Sequence, residues 1–443
     1  MRTLSQLRAD ARDIFAAGVK SADPFAAVKR HVGFSAGALT VDGRHYDLAT
    51  QGHVFVIGCG KAAAQMALAL QEIIGAKITG GVVVVKYGHG LSLEKIKVVE
   101  AGHPIPDQAG FSGAQQVVEM VSGAGAADLI LFVISGGGSA LLPMPADGLT
   151  LADKQKTTQA LLASGATIHE VNALRKHLSR LKGGRLAQLA FPANTISLIL
   201  SDVVGDQLDA IASGPTVGDA TSYGDCLEIV RRYGLNDKIP GAALSLLQRG
   251  AQGEIAETPK PPAALFRNVQ NLIVGSNRMA IAAAQQQAAA LGYPTLVLSS
   301  AIEGESRAVA SSHCAHIKEI LQRDRSAGQP HCLISGGETT VTLRGDGLGG
   351  RNQEFALAAA IEIADLDNVV VLSAGTDGTD GPTDAAGAIV DGTTLHRGRA
   401  QGLNAHEFLS RNDSYPYLQA TGDLLVTGPT LTNVMDLQVI LIG

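Results

Sequence analysis

The chain has 443 residues, 46% hydrophobic and 17% charged, with 35 Lys and Arg against 41 Asp and Glu. Length and apolar content exclude a disordered chain and favour two domains over a single core. A formal net charge of −6 excludes a general attraction to nucleic acid or anionic lipid, so any anionic ligand must be held by local groups. Cys59, Cys226, Cys314 and Cys332 lie far apart without metal spacing and read as free thiols of a reducing cytoplasm. The first residues alternate charge with apolar positions, unlike a signal peptide, and no apolar run is long enough to span a membrane, so cytoplasmic localisation is expected.

Apolar spacing predicts a helix over 4–19 and a second over 24–32, opened by Pro24. Strands are predicted at 53–58, 81–85, 97–102, 128–135 and 195–201, separated by helical stretches such as 61–74 and 110–122. Continuous β-branched runs alternating with helices predict a mostly parallel sheet covered on both faces. Residues 236–268 carry Pro, Gly and mixed charges, and within them Lys260-Pro261-Pro262 reads as a surface connector. The alternation restarts at 271–276, 295–300, 331–335 and 369–375, and the runs 423–428 and 436–443 either close this second sheet or return to the first. The expected fold class is α/β, with two doubly wound α/β domains. The larger is N-terminal, 1–260, and the smaller C-terminal, 261–443.

Five stretches carry chemistry. In GCGKAA, Gly60 and Lys61 form a strand-to-helix turn like a dinucleotide fingerprint, yet Lys86 and Tyr87 stand where a ribose-binding acid belongs. A lysine there opposes the helix dipole, so Lys61 is either an anion contact or a solvent residue on a tight turn. Ser135, Gly136, Gly137, Gly138 and Ser139 can form a nest of backbone N–H groups, or a turn needed only for its shape; the Walker and nucleophile-elbow patterns are absent. Arg175, Lys176, Arg180, Lys182 and Arg185 form a cationic patch or a set of solvated helix charges, and Lys182, before Gly183-Gly184, is the favoured anion contact.

Asp202 directly follows an apolar strand and Asp206 follows Gly205; each is a metal ligand, a base or a helix cap. Last, Glu338 follows a Ser-Gly-Gly turn and Arg351 follows Gly349-Gly350 ahead of an acidic loop with Asp377, Asp380 and Asp384. A guanidinium there can clamp a carboxylate or phosphate. The three acids lack the spacing of a calcium hand and suit magnesium, or serve Asp-Gly turns. His103 is a pocket-lining or a structural loop residue, and Ser-Gly-Gly closes a strand at both 135 and 335.

GCGKAA, SGGGSALLP, the RKHLS and KGGRLA block, SDVVGD, SGGETTV, GGRNQEFALA, SAGTDGTDGPTDAAG and TGPTLTNVMDL together resemble, in order and across essentially the whole chain, the class II glycerate kinases. The resemblance implies two α/β domains with an interdomain cleft. It also implies transfer of a phosphoryl group from ATP, with Mg2+ or another divalent cation, to the 2-hydroxyl of D-glycerate. The family's suspected site positions fall on Lys61, Asp202, Glu338, Arg351 and Asn433, the last on resemblance alone. The implied roles give the ATP phosphates to residues 135–139, with Lys182 as a further substrate or nucleotide contact. Metal binding goes to Asp202, Asp377 and Asp380, with Asp202 either binding magnesium or accepting the hydroxyl proton. Charge neutralisation goes to Lys61 and Arg351, and Glu338 orients a cation or helps hold the metal. Nucleic-acid and membrane partners are not expected; a homo-oligomer is compatible with the sequence. The alternative is an NAD(P)H-dependent hydroxypyruvate reductase, since relatives have carried that label.

Overall fold

The computed structural model describes residues 2–323 and 329–443. Two compact units divide them. The first comprises Pro24–Ser201 and Asp206–Val274; the second comprises the chain up to Asp23, Asp202–Gly205 and Gly275–Gly443.

The first unit begins with the helix Pro24–His31 and a small antiparallel sheet of β1 (Val32–Ser35), β2 (Ala38–Val41) and β3 (Arg44–Asp47). Its main sheet contains β4 (Val54–Cys59), β5 (Gly80–Lys86), β6 (Ile96–Ala101), β7 (Leu129–Ile134), β8 (Asn194–Leu200) and β9 (Val269–Gly275). The spatial order is β6-β5-β4-β7-β8-β9, with parallel pairing from β6 through β8. This is the doubly wound order in which the chain leaves the centre in opposite directions. β7 is buried along its whole length, as its uninterrupted LILFVI run requires. Adjacent β4 and β7 flank the topological switch point, and their carboxyl ends mark where such sheets bind ligands.

Pro261 and Pro262 lie exposed, as expected of a surface connector, but the stretch before them is packed into the first unit. The helix Gly241–Ala251 buries Ala243, Leu246 and Leu247 in a core shared with Leu161, Leu174, Tyr223 and Val230. The i, i+3, i+4 spacing of those apolar residues outweighs the local Pro and Gly content. Because β9 then completes the first sheet, the units part near 275 rather than 260.

In the second unit, β10 (Thr295–Ile302), β11 (His331–Gly337), β12 (Val369–Gly375), β13 (Gly387–Asp391), β14 (Leu424–Leu425) and β15 (Asp436–Ile442) are ordered β10-β11-β15-β12-β13-β14. Only β10 and β11 pair in parallel; β15 runs antiparallel to both β11 and β12, and β13 to β12. The sheet is therefore mixed, and a doubly wound topology holds for the first unit alone. The physical reason is the hairpin-like return of β13 and the insertion of β15 between two strands that run the other way. This places the run at 436–442 in the middle of the second sheet, deciding an alternative the sequence leaves open.

The helix Leu4–Ser21 also belongs to the second unit. Thr3 starts it with a capping box, and Gly18 lies so close to Leu437 of β15 that a Cβ there would approach to 2.7 Å. Among the described residues, no helix is long and apolar enough to cross a membrane. All four cysteines are free and buried.

Candidate active site

Two loops lock together at the switch point of the first unit. Lys61 donates its backbone N–H to Gly136 O (2.9 Å), and Ala62 donates to Ser135 Oγ (2.9 Å). Gly60 has φ +126, and a Cβ on it would lie 2.2 Å from Ser135 Oγ. Only glycine allows this approach. Gly137, at φ +83, packs against the ring of His103, so His103 lies beside the glycine loop. Beyond it, Ser139 Oγ shares a hydrogen bond with Ser213 Oγ (3.1 Å), which in turn donates to Asn172 Oδ1 (3.1 Å). Ala212 and Ser213 hold positive φ values of 50 and 61, a costly conformation for residues with a Cβ. That strained turn places the Ala212 methyl against Gly138.

This end of the sheet is electropositive. His103 titrates at about 4, lowered by burial and then by the charges of Lys61, Lys86 and His89. His89 is lowered chiefly by burial, although its Nδ1 lies 3.0 Å from Lys61 O. Lys182 is buried and donates Nζ–H to Ser139 O (2.8 Å). Burial draws its ammonium down to about 7, with Arg175 adding to the effect and Cys59 opposing it. The cationic patch predicted around Lys182 separates into distinct roles. Lys176 is a buried partner of Asp219 (3.4 Å) and Asp209 (3.1 Å), Arg180 pairs with Asp147 (3.4 Å), and Arg185 bonds Tyr223 Oη (3.1 Å).

The second unit's site is built where β11 and β12 end and β15 begins. Asp436 opens β15 opposite both Gly337 and Gly375 and is fully buried. Arg351, first residue of the helix Arg351–Glu362, donates Nε–H and Nη2–H to its two carboxylate oxygens (2.6 and 2.9 Å). Arg351 Nη1 also pairs with Glu338 Oε1 at 2.8 Å. Burial opposes the guanidinium charge, but the bidentate bond and charge of Asp436, with Glu338 and Asp380, raise its pKa further. Glu338 is raised by burial, pulled back by Arg351 and raised again by Asp436, Asp202 and Asp377. Asp202, after β8, thus acts electrostatically on the Arg351 cluster and belongs to the second unit by its contacts. Asn277 fixes the start of β15 by donating to Val434 O and Asp436 O, both at 2.8 Å. Asn433 Oδ1 accepts from Met435 N (3.0 Å) in the same turn.

The three loop aspartates part company. Asp380 is buried and its carboxylate accepts from Asn352 N (3.1 Å) and Gln353 N (2.8 Å), which makes it a cap for the helix that begins at Arg351. Its expected metal role yields to that structural one; burial raises its pKa to about 6 against the two N–H bonds. Asp384 accepts from Tyr415 Oη (2.8 Å) at the surface. Asp377 is half-buried, turns back on Thr379 N (3.1 Å), and remains beside Glu338 electrostatically. Among the described residues, no three His, Cys, Asp or Glu side chains are grouped to hold a metal. Ser335, the echo of Ser135, is a core residue bonded to His313 Nε2 (2.7 Å) and Gln438 Oε1 (3.0 Å).

Asp436 and Lys154 escape sequence reasoning. An acid separated by two residues from VILI marks the first, but its meaning depends on where that strand lies. The second is a lysine in register with the buried positions Thr157 and Leu161 of the helix Leu151–Ala163, a readable signal.

Comparison with known proteins places this geometry in context. A domain of unknown function (DUF4147) matches residues 10–248, and the MOFRL family matches residues 331–436. A glycerate 2-kinase of Pyrococcus horikoshii is 43% identical, covering 96% of this chain and 94% of its own length. A D-glycerate 2-kinase of Thermotoga maritima is 43% identical over 87% of this chain and 89% of its own. A solved glycerate kinase structure from that organism superposes with a TM-score of 0.88 at 39% identity, covering 99% of this chain and 100% of that one. An Agrobacterium vitis relative, 44% identical over 88% of this chain and 100% of its own, bears hydroxypyruvate reductase as a provisional name. With that identity spread over almost the full length of both sequences, and a fold shared throughout, the chain belongs to the glycerate 2-kinase family.

Proposed function

We propose that this protein transfers the γ-phosphoryl group of ATP to the 2-hydroxyl of D-glycerate, yielding 2-phosphoglycerate and ADP. The observation that carries it is the near full-length identity to glycerate 2-kinases. Chemistry at both sites supports it. Phosphoryl transfer mainly requires alignment and charge neutralisation, which suits glycine loops and fixed cations.

In the first unit, residues 135–139 and Lys182 hold phosphate oxygens, and Lys61 neutralises the moving group. In the second, Arg351 meets a carboxylate or phosphoryl oxygen through the guanidinium edge not engaged by Asp436. Asp436 and Glu338 keep that guanidinium in place, and Asn433 completes the turn beside it. Asp202 accepts the hydroxyl proton or, with Asp377, contacts magnesium held mainly by the nucleotide, since that ion needs few protein carboxylates. Bound Mg2+ supplies charge neutralisation across the phosphates. Free buried thiols are in keeping with a cytoplasmic enzyme.

The redox alternative lacks a ribose-binding acid at the end of β5, where Lys86 and Tyr87 stand. One assay separates the two. Purified protein with D-glycerate, ATP and Mg2+ is coupled directly to enolase without a mutase, and phosphoenolpyruvate formation is expected. Absence of ADP release, with NADH consumed on hydroxypyruvate, would overturn the kinase assignment.

A further inference from the structure

The helix Leu151–Ala163 starts at a capping box in which Thr150 and Asp153 satisfy one another, which fixes the register of its inner face. Lys154 lies on that face, 8% exposed, and its Nζ is buried without a hydrogen-bond partner. Burying an unpaired ammonium is strongly unfavourable, because the charge loses water and gains no partner in exchange. Two more cations act on it, Lys182 and Arg175. Lys182 is 3% exposed and reaches Ser139 O; Arg175 lies in the last turn of the helix Ile168–His177. Among the described residues, no carboxylate pairs with any of the three. Cys59 would oppose the lowering at Lys182 only as a thiolate, and burial pushes its thiol up to about 12, so it supplies no counter-charge near pH 8. Lys176, the next residue after Arg175, is an internal control: equally buried, it is paired with Asp219 and Asp209. The fold matches its structural lysine with acids and leaves this trio without them.

We infer that Lys154, Arg175 and Lys182 form an oxyanion subsite behind the Ser139 turn, taking a phosphate or carboxylate group, with Lys154 as its innermost contact. The inference rests on the proposed reaction only for the identity of that anion. Burial holds both lysines below their ordinary 10.5. An anion restores their charged forms, so binding draws protons from solvent.

The test is isothermal titration of the intact protein with pyrophosphate, ADP and D-glycerate at pH 8, in two buffers of different ionisation enthalpy, beside thermal melts without ligand. Wild-type protein is expected to take up protons on binding. Lys154→Met is expected to reduce that uptake to the share of Lys182 and to bind at least about tenfold more weakly, while its ligand-free melting temperature holds or rises. Lys154→Gln provides a second, polar replacement. If ADP and pyrophosphate depend on Lys154, the subsite serves the nucleotide; if D-glycerate alone does, it serves the acceptor. Unchanged affinity for all three ligands, or a lower melting temperature with unchanged affinity in both variants, overturns the subsite. Wild-type binding without glycerate phosphorylation would instead overturn the proposed reaction and leave the subsite standing.

Discussion

Arg351 keeps one edge against Asp436 and one nitrogen on Glu338, so its orientation is set before any substrate arrives. Preorganised charge of this kind is what a transferring phosphoryl group rewards. Replacing Arg351 or Lys61 by Ala is expected to lower turnover at least about a hundredfold; steady-state rates near wild type in either variant would remove that residue from the catalytic set. Arg351→Lys keeps the charge but cannot grip both oxygens of Asp436 and is expected to retain less than about a tenth of turnover. Lys61, Glu338 and the 135–139 loop were legible as candidates because each stands beside glycines at a strand end, and Arg351 because it follows two glycines at a helix start. Asp436 was not: an acid opening a strand acquires meaning only from the neighbours that tertiary packing supplies, and Lys154 shows its burial in the helical register but not the missing partner that gives it meaning.

At the scale of elements, the joined turns after β4 and β7 are the most tightly specified piece of the first unit. Gly60→Ala would drive a methyl into Ser135 at a φ that alanine avoids. It is expected to reduce unfolding free energy by about 1–3 kcal/mol and weaken ADP binding, measured by urea denaturation and titration. Equal stability and affinity would show that the loop yields freely. Strand runs were readable because buried β-branched stretches have few other uses. The mixed pairing of the second sheet was not, since strand sequences do not encode the direction of the neighbour they meet. The packing of the segment before Lys260 was hidden for a related reason: prolines and glycines punctuate locally, while Leu246 and Leu247 act through a distant core.

For the whole molecule, ligand-free stability carries the sign of its buried cations. Lys182 titrates near 7 in the folded protein and at its ordinary 10.5 in the unfolded chain. Between those values the unfolded chain binds more protons, so this group makes stability rise with pH, with the gain complete above about 10.5. Urea midpoints from pH 7.5 to 9.5 are expected to increase more in wild type than in Lys182→Met; parallel slopes would contradict it. The division into two α/β units was legible from the restarted alternation, but their membership was not. Nothing local in residues 4–21 says that this helix serves the later unit.

That membership has a consequence on the ribosome. The helix Leu4–Ser21 emerges early, yet Gly18 packs against Leu437 and Leu7 lies near Gly443. Everything from Pro24 to Ser201 must be translated and can begin folding while that amphipathic helix has no permanent berth. β15, the strand that joins β11 to β12, is made after every other strand of the two units. Nascent chains halted before residue 436 are therefore expected to resist protease across the first unit while the second stays open to cleavage, until one late strand gives the early helix its partner.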